Sequence, residues 1–107
     1  MPVIRKSLPP VSRAYARLVR ALAAELRRGA ATGSPGAPEI IEEEQRGNHL
    51  HVTVLWDAWA SVAHEDRGRA IMDAYEQIRP DDVLRITIAM GLSHAEAERL
   101  GVSASAR

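Results

Sequence analysis

The sequence predicts one small α+β domain of the order helix–strand–strand–helix–strand–helix, with a three-stranded sheet covered on one face by helices. Three observations carry that expectation. Two segments place apolar residues every three or four positions, as the buried stripe of a helix requires; two others alternate apolar and polar residues, as a half-covered strand requires. Clusters of Gly, Pro and Asp separate the segments. A chain of 107 residues has the length of one domain and can bury roughly two-thirds of its unfolded surface.

The first helix is expected over 12–28, where Tyr15, Leu18, Val19, Leu22 and Leu26 share one face, and Gly29 ends it. Residues 30–38 are rich in turn formers and lack periodicity, so they form a loop within the domain. Two strands, 39–45 and 48–56, flank a tight turn at Arg46-Gly47. In the second, Leu50, Val52, Val54 and Trp56 point one way and His49, His51, Thr53 and Leu55 the other.

A second helix over 63–78 buries Val62, Ile71, Ala74, Tyr75 and Ile78, and Pro80 stops it. The third strand is expected over 83–90, with Leu84, Ile86, Ile88 and Met90 toward the core and Arg85, Thr87 and Ala89 away from it. On that parity Leu50, Val52, Val54, Leu84, Ile86 and Ile88 are buried together with Leu18, Leu22, Ile71 and Ala74. The opposite sheet face, with His49, His51, Thr53, Arg85 and Thr87, is the more polar one. Ser93-His94-Ala95-Glu96 has the spacing of a capping box, which starts a short helix closed by Gly101. The domain therefore spans 12–102, with flexible ends at 1–11 and 103–107.

Composition removes several chemistries. The chain contains no cysteine, which excludes disulfides, a thiol nucleophile, thiolate zinc ligation and a self-ligated iron–sulfur cluster. It shows no signal peptide and no apolar run of membrane-spanning length, so a cytoplasmic protein without a membrane partner is expected. Net charge is zero, but residues 1–36 hold seven basic residues against one acidic, and the remainder seven against thirteen. Such asymmetry suits contact with another protein chain, including a second copy of this one, or with nucleic acid.

The stretch His51-Val-Thr-Val-Leu-Trp-Asp-Ala-Trp-Ala-Ser-Val-Ala-His-Glu-Asp-Arg-Gly-Arg69 resembles the BolA-like family of small KH-related domains. In that family a hydrophobic strand leads to an aspartate, an aromatic residue two positions later and a helix opening with Arg-His-Arg. Asp57, Trp59, Arg67 and Arg69 stand at the matching places, and the acidic first strand and the last strand with its Ser-x-x-Glu helix follow in the same order. The resemblance implies a BolA-like fold that acts by binding a partner. Where the family carries its helix histidine this chain has Gly68, and where the last strand would begin with Ile-His it has Leu84-Arg85. Those histidines are implicated in bridging an iron–sulfur cluster with a monothiol glutaredoxin, so the resemblance implies neither that cluster nor another cofactor here.

Among candidate sites, His49 and His51 could both approach one metal ion, but no third ligand lies nearby in the sequence, and no metal is expected. Asp57, Ser61 and His64 suggest acid–base chemistry, yet they sit at a strand–helix junction where Ser and Asp cap helices, so no enzyme is expected. Arg13, Arg17, Arg20 and Arg27 form a basic ridge on the first helix and Trp59 a candidate exposed anchor; with Arg67 and Arg69 they are the candidate contacts for a partner. The resulting expectation is a non-catalytic protein-interaction or adaptor module. The alternative is a nucleic-acid-binding protein using the first helix, although Gly33-Ser-Pro-Gly36 matches the KH loop in its letters only and the strands offer no aromatic platform.

Overall fold

The computed structural model describes residues 12–28 and 36–101; Gly29, most of the 30–38 loop and the expected flexible ends lie outside them. The elements are α1 (Arg13–Arg28), β1 (Glu39–Gln45), β2 (His49–Leu55), α2 (His64–Ile78), α3 (Pro80–Val83), β3 (Ile86–Leu92) and α4 (His94–Leu100), with single 3-10 turns at Arg46–Asn48 and Asp57–Ser61. The order is the one the sequence predicts. β1 pairs antiparallel with β2, and β2 pairs parallel with β3, giving the sheet order β1-β2-β3.

Local chemistry sets the boundaries. The Tyr15 amide donates to the Ser12 hydroxyl at 3.0 Å, which caps α1. The β1–β2 turn reverses through Gly47 and Asn48, both at positive φ, the conformation that a tight hairpin turn needs and that Gly and Asn tolerate best. At α4 the expected capping box forms: Ser93 Oγ accepts from the Glu96 amide at 3.2 Å, and Glu96 Oε1 accepts from the Ser93 amide at 2.8 Å. Gly101, left-handed at φ 75°, closes that helix.

α1 and α2 cover one face of the sheet. Tyr15, Val19, Leu22 and Leu26 from α1 and Ala70, Ile71, Ala74 and Tyr75 from α2 pack with Leu50, Val52 and Val54 of β2. Each large aliphatic side chain buried there contributes about 1.5–3 kcal/mol of transfer free energy. Trp56 and Trp59 complete the core edge-to-face, their ring centroids 5.1 Å apart, and each indole N–H finds a carbonyl, that of Gly36 and of Val54 respectively. Leu55, which the alternation sends to the polar face, is nevertheless buried: with Leu92 and Ile41 it forms a second cluster under Ala97 of α4.

The third strand differs from expectation in position and in parity. Pro80 at the start of α3 and the acids Asp81 and Asp82 in its first turn favour one more helical turn, so the strand starts at Ile86 rather than Val83. Leu84 falls in the intervening turn and is 95% exposed. Leu50 then pairs with Ile86 but His51 with Ile88, leaving Thr87 as an extra residue in a β-bulge. Beyond the bulge every side chain changes face. Ala89 packs toward the helices, whereas Ile88 and Met90, expected in the core or on its parity, are 45% and 36% exposed on the other face. The cause lies beneath: a Cβ on Gly91 would stand 2.7 Å from the fully buried Trp59 ring, so only small residues fit on β3 at that side. Ile86, ahead of the bulge, does pack against the core.

The outer edge of β3 is occupied. The Leu92 carbonyl accepts from Trp56 of the neighbouring chain segment, so the Gly91 carbonyl one residue earlier points away from β2, and there it accepts from Arg67 at 2.9 Å. Gly68 lies against the same edge, where a Cβ would meet the Ala89 carbonyl oxygen at 3.1 Å. α2 thus shields one edge of the sheet, and the carboxylates of Glu42, Glu43 and Glu44 guard β1, the other.

Candidate interaction surface

Among the described residues, the sheet face opposite α1 and α2 is left open except at the end that α4 covers. Its rows follow from the register: Gln45 beside His49; Glu43, His51 and Ile88; Ile41, Thr53 and Met90. The next row, Glu39, Leu55 and Leu92, ends under α4. Charge therefore lies along β1, hydrogen-bonding side chains along β2, and two adjacent large apolar side chains along β3.

His49 and His51 do share this face, with Gln45 and Glu43 across from them. The His49 ring folds over the turn, within 3.3 Å of where a Gly47 Cβ would stand. Among the described residues no group of three His, Asp or Glu side chains comes together as a metal site would require.

The remaining candidates are dispersed. Arg13, Arg17, Arg20 and Arg27 lie exposed along α1 as the ridge the spacing implies. Trp59 and Arg67 correct the sequence reading: at 0% and 2% exposure neither can touch a partner. Trp59 fills the space below β3, which is why an aromatic residue stands there. Arg67 is a structural tie, donating to the Val62 carbonyl at 2.8 Å, to the Gly91 carbonyl and to Glu96 at 2.7 Å. Arg69 stacks over the Tyr15 ring, its guanidinium carbon 4.8 Å from the centroid, and pairs with Asp66 at 2.9 Å. Burial and a hydrogen bond to Asp73 push the Tyr15 phenol up to about 12. On the far side of α2, burial and donation to Glu42, which Arg79 also binds, raise Tyr75 as well.

Gly68 and Arg85 also gain structural explanations. Gly68 suits the close approach of α2 to β3: a side chain there would press its Cβ to 3.1 Å from the Ala89 carbonyl oxygen, so the strand would have to yield by a few tenths of an ångström. Arg85 donates to the Asn48 carbonyl at 3.1 Å and to Asp82 at 3.0 Å, tying the start of β3 to the hairpin turn.

Asp57 and His64, two of the three side chains that suggested acid–base chemistry, take other partners. His64 turns toward Glu96, 3.9 Å away, while Asp57 accepts from both the amide and the ring of His94. The second ring nitrogen of His94 meets Glu39 at 3.0 Å. Two carboxylates can only accept, so the ring donates to both only in its protonated form, and the Glu39 and Asp57 hydrogen bonds raise its pKa above the usual 6.5. This exposed clasp joins the start of β1, the turn after β2 and the start of α4.

Sequence reasoning missed Ile88 and Met90 as surface residues. The signal was present: Ile88 and Met90 alternate with Ala89 and Gly91, and a strand with its large residues on one face and its smallest on the other admits either face as the inner one. Among the described residues no helix is long and apolar enough to cross a membrane. In comparisons with known proteins, no family model, no curated protein and no solved structure matches this chain.

Proposed function

We propose that this protein is a cytoplasmic, non-catalytic interaction module that binds another polypeptide on the open face of its sheet. The observation that carries the reading is the pair Ile88 and Met90, adjacent and part-exposed on a face that, among the described residues, α4 covers only at the Leu55–Leu92 end. Apolar side chains flanked by groups able to form hydrogen bonds, here His51 and Thr53, make the apolar centre and polar surround typical of protein interfaces. The resemblance to the BolA-like family, whose members act through partners, supports the same reading. An adaptor needs no reactive group, and Asp57, one of the side chains that suggested acid–base chemistry, is engaged by the amide and ring of His94.

The test is photocrosslinking in the native cells from a photoreactive residue at Thr53, in the middle of the face, with Glu98 on α4 as the reference position. A discrete polypeptide adduct at position 53 and none at 98 is expected, and its mass distinguishes a second copy of the chain from a different protein. No adduct at 53, or identical adducts at both positions, would refute the reading.

A further inference from the structure

We propose that the outward face of α1, on the other side of the molecule from the open sheet face, binds the phosphate backbone of a nucleic acid. At about 100° per residue, Arg13, Arg17, Arg20, Arg27 and Arg28 fall within an arc of roughly 100°, along a helix axis about 22 Å long. All five are exposed, and Glu25, the single acid of the helix, lies off that arc. Ion pairs among the described residues join Arg67, Arg69, Arg79, Arg85, His64 and His94 to carboxylates, and none of them includes an arginine of α1. Asp73 and Glu76 of α2 line the groove beside Arg20 and Arg27 without pairing with them, so among the described residues the ridge is a line of positive charge free of ion pairs.

Charge complementarity selects the partner. Every cation on α1 is arginine, whose planar fork matches phosphate oxygens bidentately, where lysine would offer a point charge. The length of the ridge corresponds to about six phosphates of one strand at 3.4 Å of axial rise each. A lipid surface fits poorly, because an interfacial helix must bury an apolar face in the membrane. The apolar face of α1, with Tyr15, Val19, Leu22 and Leu26, is already buried in the core. The neutral net charge adds a constraint: without long-range attraction of the whole molecule, binding at 0.1 M salt must come from the local ridge.

The experiment is fluorescence anisotropy of the full chain with a labelled mixed-sequence single-stranded RNA and a DNA duplex, at about 0.1 M NaCl and across a salt series. Binding of at least one probe is expected with a dissociation constant of about 1–100 μM, and with a slope of log K on log salt between about −2 and −4.5, as three to five phosphate contacts give. The double variant Arg17→Glu/Arg20→Glu should bind at least about tenfold more weakly with unchanged circular dichroism, since Glu nearly equals Arg as a helix former. Arg46→Glu, at the exposed hairpin turn, should bind within about twofold of the parent. Three results would overturn the proposal: no binding of either probe, equal losses in Arg46→Glu and the double variant, or displacement by polyglutamate at matched charge as effective as by unlabelled RNA, which would mark an acidic-protein site. Binding to phosphatidylserine vesicles and to neither nucleic acid would overturn it as well.

Discussion

The guanidinium of Arg67 on α2 donates to the Gly91 carbonyl on the outer edge of β3 at 2.9 Å. One side chain thereby satisfies a strand edge, the Val62 carbonyl at the entrance to α2, and Glu96 of the α4 capping box. Arg67→Met is expected to leave those acceptors unpaired while retaining much of the volume. Removing one partner of a buried charged network costs about 3–5 kcal/mol; because Glu96 keeps some contact with water, a loss of about 2–4 kcal/mol is expected in urea unfolding. A change below about 0.5 kcal/mol would mean that the network is dispensable.

The same network fixes the acid limb of stability. Hydrogen bonds from Arg67, and then from the Ser93 amide, hold the Glu96 carboxyl down at about 2, against a usual value near 4.5. A carboxyl whose pKa is lower in the folded state stabilises the fold above its unfolded pKa, and that contribution disappears as pH falls from about 4.5 toward 2. Unfolding free energies measured across that range should slope less steeply in Glu96→Gln than in the parent. Parallel curves would show that Glu96 titrates alike in both states.

His94 works in the opposite sense. Its pKa is raised by Glu39 and then Asp57, so the clasp stabilises the fold fully below pH 6.5 and loses that contribution as pH rises through the folded value. Ring-carbon NMR titration should place His94 above 6.5, with Glu39→Gln lowering it. A value at or below 6.5 would contradict the paired geometry.

Most of the fold was legible from the sequence because its signals are local. The stripe Tyr15, Val19, Leu22 and Leu26, the alternation Leu50, Val52 and Val54, and the Ser93–Glu96 box each follow from neighbours in the chain, and each element formed within a residue or so of its expected bounds. β3 was not, because its parity depends on a bulge at Thr87, and that in turn depends on the Trp59 ring filling the space beneath Gly91, 32 positions away in sequence. Arg67 was misread for a related reason. An arginine on a helix reads as exposed until the carbonyls and carboxylate that receive it are brought together by elements far apart in the chain.

Packing below β3 yields a sharp test of that account. Gly91→Ala would set its Cβ 2.7 Å from Trp59 and 3.0 Å from the Arg67 Cβ, and overpacking of this kind costs about 1–3 kcal/mol. Replacing Trp59 as well should give a double mutant less destabilised than the sum of the two single changes, since the smaller ring removes the clash. Additive losses in chemical denaturation would show that Gly91 and Trp59 do not share that space.

The central claim, that β3 turns Ile88 and Met90 outward to receive a polypeptide, is tested most directly by the double variant Ile88→Lys/Met90→Lys, carrying the photoreactive residue at Thr53. Charges placed on an exposed face cost little, within about 0.5 kcal/mol each, so the melting temperature should fall by less than about 8 °C. Val54→Asp, in the buried row beneath, should unfold the domain by burying an unpaired charge. The account predicts a folded double variant whose crosslinked polypeptide falls at least about tenfold, the loss expected when two charges enter an apolar interface centre. Unfolding on the scale of Val54→Asp would return Ile88 and Met90 to the core, and a folded variant with undiminished crosslinking would remove the open face as the binding surface.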